Sequence, residues 1–410
     1  MSLHVVILAA GLGKRMRSKL PKVLNTVGGR PMLEHVLRTA RQLSPDAIHV
    51  VYGHGGDLVK AQLNTHDINW VHQEDQLGTG HATRYALDHV ASDADVLVLY
   101  GDVPLIKAQT LRDLRARQEK TGVAILTVEL NDPTGYGRII RNASGNITAI
   151  VEEKDANDEQ RAISESNTGI LACHADQLVR WLENVDPDNA QGEIYLTDII
   201  ELAVAEGCEV GSIIAHDPIE VSGVNDRKQQ AEAERALQQR KVEALMEQGV
   251  TVMDPVRLDV RGDVTVGHDV TIDINVILEG KVEIGDAVHI GPNVQIRNTT
   301  IGNGVEVRAN CVIEEANIGN NAIIGPFARI RPGTRICDQA HIGNFVEIKK
   351  SHIGKDSKIC HLTYVGDSHV GERVNIGAGT ITCNYDVSTS TKPSSRMTPL
   401  SVPMQHWSHR

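Results

Sequence analysis

A cluster of cations follows a glycine turn near the start of the chain, in the stretch VVILAAGLGKRMRSKLPKVL at residues 5–24. Its first part, VVILAA, is a short apolar run of the kind that forms a buried parallel strand. Gly11 and Gly13 then permit a tight turn, and several basic residues come directly after it. These are Lys14, Arg15, Arg17, Lys19 and Lys22. Exposed backbone N–H groups beside several cations are typical of a phosphate-binding site.

The glycines of this loop do not match two common phosphate-binding motifs. A dinucleotide-binding loop would have a third glycine at Met16, and a P-loop would have a Gly-Lys-Ser/Thr sequence, which is absent. An ordinary strand-to-helix turn with solvated lysines is the alternative interpretation. Pro21 favours the functional one, because it stiffens the backbone next to Lys22, a constraint that a solvated lysine does not need.

Polar residues also follow other predicted strands in the first half of the chain. Asp102 comes directly after the apolar run VLVLY, and Gly78-Thr79 precedes a predicted helix. A carboxylate after a strand is often a helix cap, but beside a phosphate site it suits Mg²⁺, which binds one or two carboxylates together with substrate oxygens. Four more turn residues are candidates for hydrogen bonds to a sugar or ribose: Gly137, Glu152, Asn167 and Asn225.

A second group of functional side chains lies in the last third of the chain. Arg331 and Lys349 are cations 18 residues apart, and Lys350 follows directly. Because this region has a repeat of 18 residues, the cations are predicted to lie on one face, well placed for a phosphate. His361 and Tyr364 follow one coil later. An exposed histidine on a solenoid is ordinarily without function, but this one lies in register with the two-cation face.

Composition restricts the classes of protein to which the chain can belong. A length of 410 residues predicts two or three domains. Hydrophobic residues make up 41% of the chain but aromatic residues only 3%, so the cores must be aliphatic, as in parallel sheets and β-solenoids. The formal net charge of −12 argues against a nucleic-acid partner and makes the basic N-terminal loop stand out.

Cysteine spacing and hydropathy predict a cytoplasmic protein. The six cysteines include no Cys-x-x-Cys pair, which favours reduced thiols over disulfides or a zinc site. No apolar run approaches the roughly 20 residues of a membrane helix. The VVILAA run lacks the basic flank and cleavage site of a signal peptide, so we expect no membrane partner.

Strand-like and helix-like segments alternate from residue 4 to about 215, which predicts an α/β domain with a mostly parallel, Rossmann-like sheet over residues 1–225. Ligands of such sheets bind at the carboxyl ends of the strands, where the basic loop lies. Residues 226–248 contain neither glycine nor proline and are rich in helix formers, which predicts one continuous linker helix. Because its apolar positions are sparse, we expect an exposed arm; a short coiled coil is the alternative.

A hexapeptide pattern replaces this alternation from about residue 250. Ten of the Ile-Gly and Val-Gly pairs between residues 266 and 377 follow one another at spacings near six residues or its multiples. Six residues correspond to one short strand and a turn, and three such faces form one coil of 18 residues. The pattern therefore predicts a parallel β-helix over residues 249–386, with the aliphatic residue of each pair pointing inward and the glycine at a corner.

The loop Gly-x-Gly-x-Arg-Met followed by Leu-Pro-Lys resembles the signature of sugar-nucleotide pyrophosphorylases. With the segments PTGYGRI, VEEKD, SNTGI and GVNDR and the hexapeptide region, residues 4–386 resemble a bacterial bifunctional family. That family joins an N-acetylglucosamine-1-phosphate uridyltransferase to a glucosamine-1-phosphate acetyltransferase. The resemblance implies a left-handed β-helix, a homotrimer, and the substrates UTP, N-acetylglucosamine-1-phosphate, glucosamine-1-phosphate and acetyl-CoA.

The resemblance also assigns roles to residues of the first domain. Asp102 and Asn225 are implied to hold Mg²⁺, while Arg15 and Lys22 are expected to neutralise charge as pyrophosphate leaves UTP. The residues implied to bind the nucleotide and the sugar are Leu8, Ala9, Ala10, Gly11, Lys22, Gln73, Gly78, Thr79, Tyr100, Gly101, Asp102, Gly137, Glu152, Asn167 and Asn225.

A second set of roles falls on the β-helix. His361 is implied to be the general base that takes a proton from the sugar amine as the amine attacks the thioester of acetyl-CoA. The residues implied to bind the amino-sugar phosphate are Arg331, Lys349, Tyr364 and Asn375, and those implied to bind acetyl-CoA are Ala378, Asn384 and Tyr385.

The segment 387–410 departs from this family. It carries three prolines, many Ser and Thr and no Ile-Gly step, a composition typical of disorder. One set of codons that could encode this segment yields a hexapeptide-like amino-acid sequence when it is read one nucleotide out of frame. We therefore interpret the segment as the product of a frame shift. In place of this tail the family has further β-helical coils, and we therefore expect impaired acetyl transfer and a weakened trimer.

Two other functions remain open from the sequence. Similar catalytic domains transfer adenylyl groups to glucose-1-phosphate and carry a β-helix that does no chemistry. Similar architectures also include assembly subunits with a degenerate nucleotide domain, but the intact basic loop and Asp102 argue against that interpretation.

Overall fold

A computed structural model describes residues 1–384 except residues 12, 54, 64 and 65. The chain divides into two compact units, one from Met1 to Leu237 and a second that begins at Gln238, so the boundary falls inside the predicted linker helix. Tyr385 and the segment 387–410, with the frame shift inferred for it, lie outside the described residues.

The first unit contains a mixed sheet and helices. Its strands are β1 (Leu3–Leu8), β2 (Thr26–Val27), β3 (Arg30–Pro31), β4 (Ala47–Tyr52), β5 (Ile68–His72), β6 (Asp95–Tyr100), β7 (Val123–Glu129), β8 (Arg138–Arg141), β9 (Ile147–Val151), β10 (Glu165–His174) and β11 (Val210–Ala215). Its helices are α1 (Met32–Arg41), α2 (Gly56–Leu63), α3 (Thr79–Leu87), α4 (Ala108–Thr121), α5 (Asp158–Arg161), α6 (Ala175–Glu183) and α7 (Ile199–Ala205); α8 (Arg227–Glu247) follows. No helix within the described part of the chain has the length and hydropathy needed to cross a bilayer.

The main sheet has the strand order β11-β7-β10-β6-β1-β4-β5, and β8 and β9 extend it from β10. β1 lies between β6 and β4 and is parallel to both, with Ile7 beside Leu99 and Val50. Helices on both faces bury the aliphatic side chains of these strands. The predicted mostly parallel sheet is thus confirmed, with one addition: β10 runs antiparallel to β6 and β7.

The second unit is built from one continuous sheet of 18 parallel strands. They are β12 (Thr251–Val252), β13 (Leu258–Val266), β14 (Thr271–Ile272), β15 (Val276–Ile284), β16 (His289–Ile290), β17 (Gln295–Arg297), β18 (Thr300–Ile301), β19 (Glu306–Val307), β20 (Val312–Glu314), β21 (Ala316–Ile318), β22 (Ile323–Ile324), β23 (Arg329–Ile330), β24 (Thr334–Ile336), β25 (His341–Lys349), β26 (His352–Ile353), β27 (Lys358–Gly366), β28 (His369–Val370) and β29 (Asn375–Ile376).

Strand register confirms the predicted β-helix. Each strand pairs with the strand one coil later, and a coil takes 18 residues where Ile330 pairs with Ile348 but 17 where Ile348 pairs with Val365. The irregular spacings in the sequence are therefore coils shortened by one residue. Inward-facing Val, Ile and Leu stack from coil to coil and form one aliphatic core.

Close approach between coils explains the glycine of the repeated pairs. A Cβ atom at Gly343 would lie 2.1 Å from the carbonyl oxygen of Cys360 on the next coil, and one at Gly354 would lie 2.4 Å from that of Gly371. Neither contact can be relieved by a rotamer change, because both partners are backbone atoms. Glycine is required at these corners to let successive coils stack.

The expectation of an exposed arm for residues 226–248 is wrong. Within the second unit, Val242 and Leu245 of α8 are 0% and 4% exposed and belong to the core of the β-helix. Within the first unit, Ala233 is 3% exposed and packs in a cluster with Met16 and Val224. The apolar residues are sparse along the helix, but Ala233, Val242 and Leu245 lie where the helix packs against its own unit.

Candidate active site

A cavity of about 260 Å³ opens at the carboxyl ends of β1 and β6 in the first unit. Because these strands are parallel neighbours, the loops that follow them lie side by side at one edge of the sheet. The residues that line the cavity are Leu8, Ala10, Gly11, Lys22, Val23, Gln73, Gln76, Gly78, Thr79, Ala82, Tyr100, Asp102 and Glu193. Most of the residues implied to bind a nucleotide thus surround one space.

The loop after β1 folds back on itself because of one glycine. Gly13 has φ +58°, and a Cβ atom there would lie 2.6 Å from the Cβ of Lys22. Met16, which replaces the third glycine of a dinucleotide loop, is 1% exposed and packs on Val27 and Met32. The apolar anchor holds the loop to the domain while the side chain of Arg15, one residue earlier, remains exposed.

Lys22, Asp102 and Asn225 converge on one point at the edge of the cavity. The ammonium group of Lys22 donates hydrogen bonds to Oδ2 of Asp102 and, at 2.7 Å, to Oδ1 of Asn225. The side chains of Lys22 and Asp102 are only 11% and 20% exposed. The turn that carries Asn225 is held to the loop after β6 by a hydrogen bond from the Val224 N–H to the Asp102 carbonyl oxygen, at 2.9 Å.

The opposite wall of the cavity is the N-terminus of α3. Gly78 has φ +110°, and a Cβ there would lie 2.5 Å from the Ile194 carbonyl oxygen. The Thr79 hydroxyl accepts a hydrogen bond from the Leu196 N–H at 3.1 Å. Gln76 donates to the Ala10 carbonyl oxygen at 2.7 Å and thereby joins this wall to the loop after β1.

A deeper part of the site contains Tyr100 and Glu152. Desolvation and the carboxylates of Glu152 and Asp102 raise the pKa of the Tyr100 phenol, which also hydrogen-bonds the Thr79 side chain. Burial raises the pKa of Glu152 as well, although the Thr197 hydroxyl donates to it at 3.2 Å. Burial thus removes both groups from water, and a hydrogen bond to a polar ligand would compensate for that loss.

Backbone contacts place Gly137 and Asn167 next to this pair. The Asn167 N–H donates to the Gly137 carbonyl oxygen at 2.8 Å, and a Cβ at Gly137 would lie 3.3 Å from the Glu152 carboxylate. Gly169 follows at an irregularity in β10 and has φ +83°. Its missing side chain leaves room for Tyr100, since a Cβ there would lie 2.5 Å from Cε2 of that ring.

Some lining residues carried no recognisable signal in the sequence. Gln76 and Glu193 line the cavity, and Glu193 comes from a loop far along the chain. Asp198 lies near Glu152, and burial, together with the carboxylates Glu201, Glu152 and Asp155, raises the pKa of Asp198 to about 6. Such residues are brought in by tertiary contacts, which a single sequence does not reveal.

In the second unit, the two predicted cations lie on neighbouring coils and both have carboxylate partners. Arg331 follows Ile330, which pairs with Ile348, so Arg331 and Lys349 occupy equivalent positions. Arg331 donates to Glu347 at 2.8 Å, and Lys349 lies 3.4 Å from Asp367. A phosphate would therefore compete with these carboxylates for Arg331 and Lys349. The sequence did not predict the two carboxylate partners.

His361 lies exposed at a corner of the β-helix, beside Asn344 of the preceding coil. The Oδ1 atom of Asn344 is buried and has no hydrogen-bond partner among the described residues. Tyr364 accepts a bond from Asn384 at 3.2 Å on the coil edge. Asn375 pairs with Lys358, and both Asn375 and Ala378 are exposed.

The two units define a nucleotidyltransferase-type domain joined to a parallel β-helix. Residues 5–180 match the family model of the MobA-like NTP transferase domain. Residues 260–334 match the model of the GMPPB C-terminal domain.

Curated proteins named bifunctional protein GlmU align with nearly the whole chain. The protein of Pseudomonas putida (strain GB-1) is 58% identical over 94% of this chain and 85% of its own length. Those of Idiomarina loihiensis and Xylella fastidiosa (strain M12) are 54% and 53% identical over 94% of this chain and 85% and 84% of their lengths. The chain belongs to the GlmU family of bifunctional proteins, and the family resemblance found in the sequence is confirmed.

Exchanging Gly169 for alanine tests the geometry of the deeper pocket. The added Cβ would clash with the Tyr100 ring, so we expect the ring to shift and the affinity for UDP-N-acetylglucosamine to fall by at least about tenfold, the equivalent of about 1.4 kcal/mol. Isothermal titration calorimetry measures the affinity.

The matched control is Gly145→Ala, because Gly145 also has φ +83° but has nothing within 4 Å of its Cβ position. It carries the same backbone strain and should bind the nucleotide sugar normally. Equal affinities for the two variants would contradict a role of Gly169 in shaping this pocket.

Proposed function

We propose that the first unit transfers a uridyl group from UTP to N-acetylglucosamine-1-phosphate, giving UDP-N-acetylglucosamine and pyrophosphate. The observation that carries the proposal is the convergence of Lys22, Asp102 and Asn225 beside a glycine-rich basic loop. Membership of the GlmU family supports it. A phosphate oxygen of the sugar attacks the α-phosphorus of UTP, and the bond from that phosphorus to the pyrophosphate oxygen breaks.

The attacking phosphate needs no general base, because a phosphate monoester is already an anion at neutral pH. The chain must instead bring two polyanions together and neutralise the charge of the leaving pyrophosphate. The exposed Arg15 and the ammonium group of Lys22 lie on the loop that would contact those phosphates. Tyr100, Glu152 and Asn167, which lie close together, would orient the sugar.

The residues that would hold Mg²⁺ have suitable chemistry. Asp102 Oδ2 and Asn225 Oδ1 both lie within reach of one point, because both accept a hydrogen bond from the same ammonium group. Among the described residues, no three His, Cys, Asp or Glu side chains form a metal-binding group. One carboxylate and one amide oxygen suit Mg²⁺, which completes its shell with water and substrate phosphate. When bound, the ion supplies positive charge to the phosphates.

Replacing Asp102 by asparagine tests this assignment. The carboxylate is the only ionised oxygen ligand in the proposed set, so its loss should lower kcat for UTP-dependent pyrophosphate release by about 100-fold or more. The variant keeps the shape of the side chain and should retain the melting temperature of the wild type within a few degrees. Near-normal turnover in Mg²⁺ would show that the metal assignment is wrong.

Assaying the wild type with UTP and ATP in parallel serves as the companion measurement. A uridyltransferase should prefer UTP with N-acetylglucosamine-1-phosphate, whereas preference for ATP with glucose-1-phosphate would support the alternative adenylyltransferase. Absence of pyrophosphate release with either nucleotide would favour an assembly subunit.

We propose acetyl transfer from acetyl-CoA to glucosamine-1-phosphate as the reaction of the second unit. His361 would remove the proton from the sugar amine as the nitrogen attacks the thioester carbon, and the thiolate of coenzyme A would leave. The exposed histidine on the coil that follows Asn344, together with Arg331 and Lys349 on one face, supports the assignment. We expect the rate to be low, because residues 387–410 carry none of the hexapeptide pattern.

Exchanging His361 for asparagine separates the two reactions. Loss of a general base should reduce coenzyme A release by about 100-fold or more, while uridyl transfer stays unchanged. His369→Asn is the control, since His369 is also exposed but pairs with His352 on another face. Retained acetyl transfer in the His361 variant, or none in the wild type, would contradict the role of this site.

An apolar ladder beside His361 supports the proposed homotrimer. Phe327 and Phe345 are the only phenylalanines of the chain, yet they are 48% and 55% exposed, and their ring centroids lie 5.3 Å apart. Leu362, next to His361, is 63% exposed. All three residues have positive φ, an uncommon backbone conformation for side chains of this size. We assign this ladder to contact with a second copy of the chain.

Sedimentation velocity tests the ladder as an interface. We expect Phe345→Ser to shift the protein from trimer toward monomer, because an apolar contact of about 1–3 kcal/mol per copy is lost. Met253→Ser, which changes another exposed apolar side chain, should leave the assembly unchanged. A wild type that stays monomeric, or a Phe345 variant that assembles normally, would contradict the assignment.

A further inference from the structure

The ammonium group of Lys22 lies at the position that a cation needs. It donates to Oδ2 of Asp102 and to Oδ1 of Asn225, and these are the two oxygens proposed to hold Mg²⁺. A single donor that reaches both oxygens sits where their lone pairs converge. Lys22 and a metal ion therefore compete for the same pair of ligands.

We propose that Lys22 is an internal substitute for the metal: it holds the cation position before the nucleotide binds and then moves to the nucleotide phosphates. This inference rests on the uridyltransferase function proposed above. A lysine is suited to such a change, because its charge is compact and its four-carbon stem is flexible. The loop that carries Lys22 lines the same cavity as Asp102, so the movement is short.

The Asn225 side chain and the backbone of Asp102 have contacts that do not involve Lys22. The Asn225 N–H donates to Gln229 at 2.7 Å, and the Asn225 side-chain amide donates to the Gly223 carbonyl oxygen at 3.2 Å. Asp102 is joined to the same turn through its carbonyl oxygen, which accepts from the Val224 N–H. Departure of Lys22 thus leaves the Asn225 amide held in place, with Asp102 anchored beside it through its backbone.

Electrostatic interactions explain why the Lys22 ammonium group and the metal ion would replace each other beside Asp102. The Asp102 carboxylate is 20% exposed, and an unpaired charge at such a site is unfavourable. Lys22 neutralises it until another cation arrives. Nucleotide phosphates attract the ammonium group away from Asp102, and the freed carboxylate then favours the metal ion. Nucleotide and metal must therefore raise each other's affinity, since coupling between two sites is reciprocal.

The test is a titration with Mn²⁺ alone, without nucleotide, followed by electron paramagnetic resonance of the unbound ion. Lys22→Met removes the competing charge and keeps the length of the side chain. We expect it to bind Mn²⁺ about tenfold more tightly than the wild type, within the roughly 5–150-fold range of typical site coupling. A non-hydrolysable UTP analogue should then raise the Mn²⁺ affinity of the wild type by a larger factor than that of the variant, because its phosphates ligate the ion in both proteins but displace Lys22 only in the wild type.

Two variants control this experiment. Lys120→Met changes an exposed lysine on α4 and should bind Mn²⁺ as the wild type does, while Lys22→Met combined with Asp102→Asn should lose the gain. Circular dichroism melting verifies folding, and Lys22→Gln serves as a second neutral variant. Affinities in both Lys22 variants equal to or weaker than in the wild type would overturn the proposal.

Failure of the proposed exchange can be distinguished from failure of the proposed uridyltransferase function. If the wild type releases pyrophosphate from UTP but Lys22→Met gains no Mn²⁺ affinity, the exchange is refuted and the uridyltransferase stands. If the wild type releases none although Lys22→Met binds Mn²⁺ more tightly, the function is refuted and the competition between Lys22 and the metal stands.

Discussion

The contact of Lys22 with Asp102 and Asn225 is the interaction on which the proposed chemistry of the first unit depends. A chain with a net charge of −12 must bind substrates that are themselves polyanions. It does so by concentrating cations in one loop and by controlling a single carboxylate within reach of them. The parallel pairing of β1 with β6 makes this possible, because it places the loops after both strands at one edge of the sheet.

The backbone conformation of the two loops that line the cavity supports the same arrangement of cations and carboxylate. Gly13 allows the loop to return to Lys22, and the buried Met16 fixes its far side to the domain. At the other wall, the positive φ of Gly78 lets the N-terminus of α3 approach the Ile194 carbonyl. These positions tolerate little change for steric reasons, and this constrained backbone supports the interpretation of the basic loop as a binding site over that of a solvated turn.

The β-helix depends on a different constraint, the stacking of similar coils of 17 or 18 residues. Aliphatic side chains such as Ile330, Ile348 and Val365 stack along the axis, and glycines permit the corners to approach. Because each strand pairs in parallel with a strand of the next coil, residues in register form rows on the surface. Arg331 and Lys349 form one such row and the exposed phenylalanines form another, so a solenoid can position functional groups without a pocket.

Much of this architecture could be predicted from the sequence, because it rests on periodic patterns. The hexapeptide period gave the β-helix, and the apolar runs before Gly11 and Asp102 located the edge of the sheet. Contacts between distant segments could not be predicted. The burial of Val242 and Leu245 was missed because a sparse apolar pattern does not reveal what a helix packs against. The carboxylates that pair with Arg331 and Lys349 were missed because neither lies in direct register with its cation: Glu347 precedes the position equivalent to Arg331, and Asp367 follows the position equivalent to Lys349.

A crystal structure with UDP-N-acetylglucosamine and Mn²⁺, with anomalous scattering used to locate the ion, tests the central claim most directly. We predict an anomalous peak within about 2.2 Å of Asp102 Oδ2 and Asn225 Oδ1, near the distance typical of small divalent ions. The Lys22 ammonium group should then lie on a phosphate oxygen. A peak elsewhere, with Lys22 still hydrogen-bonded to Asp102 and Asn225, would contradict the account.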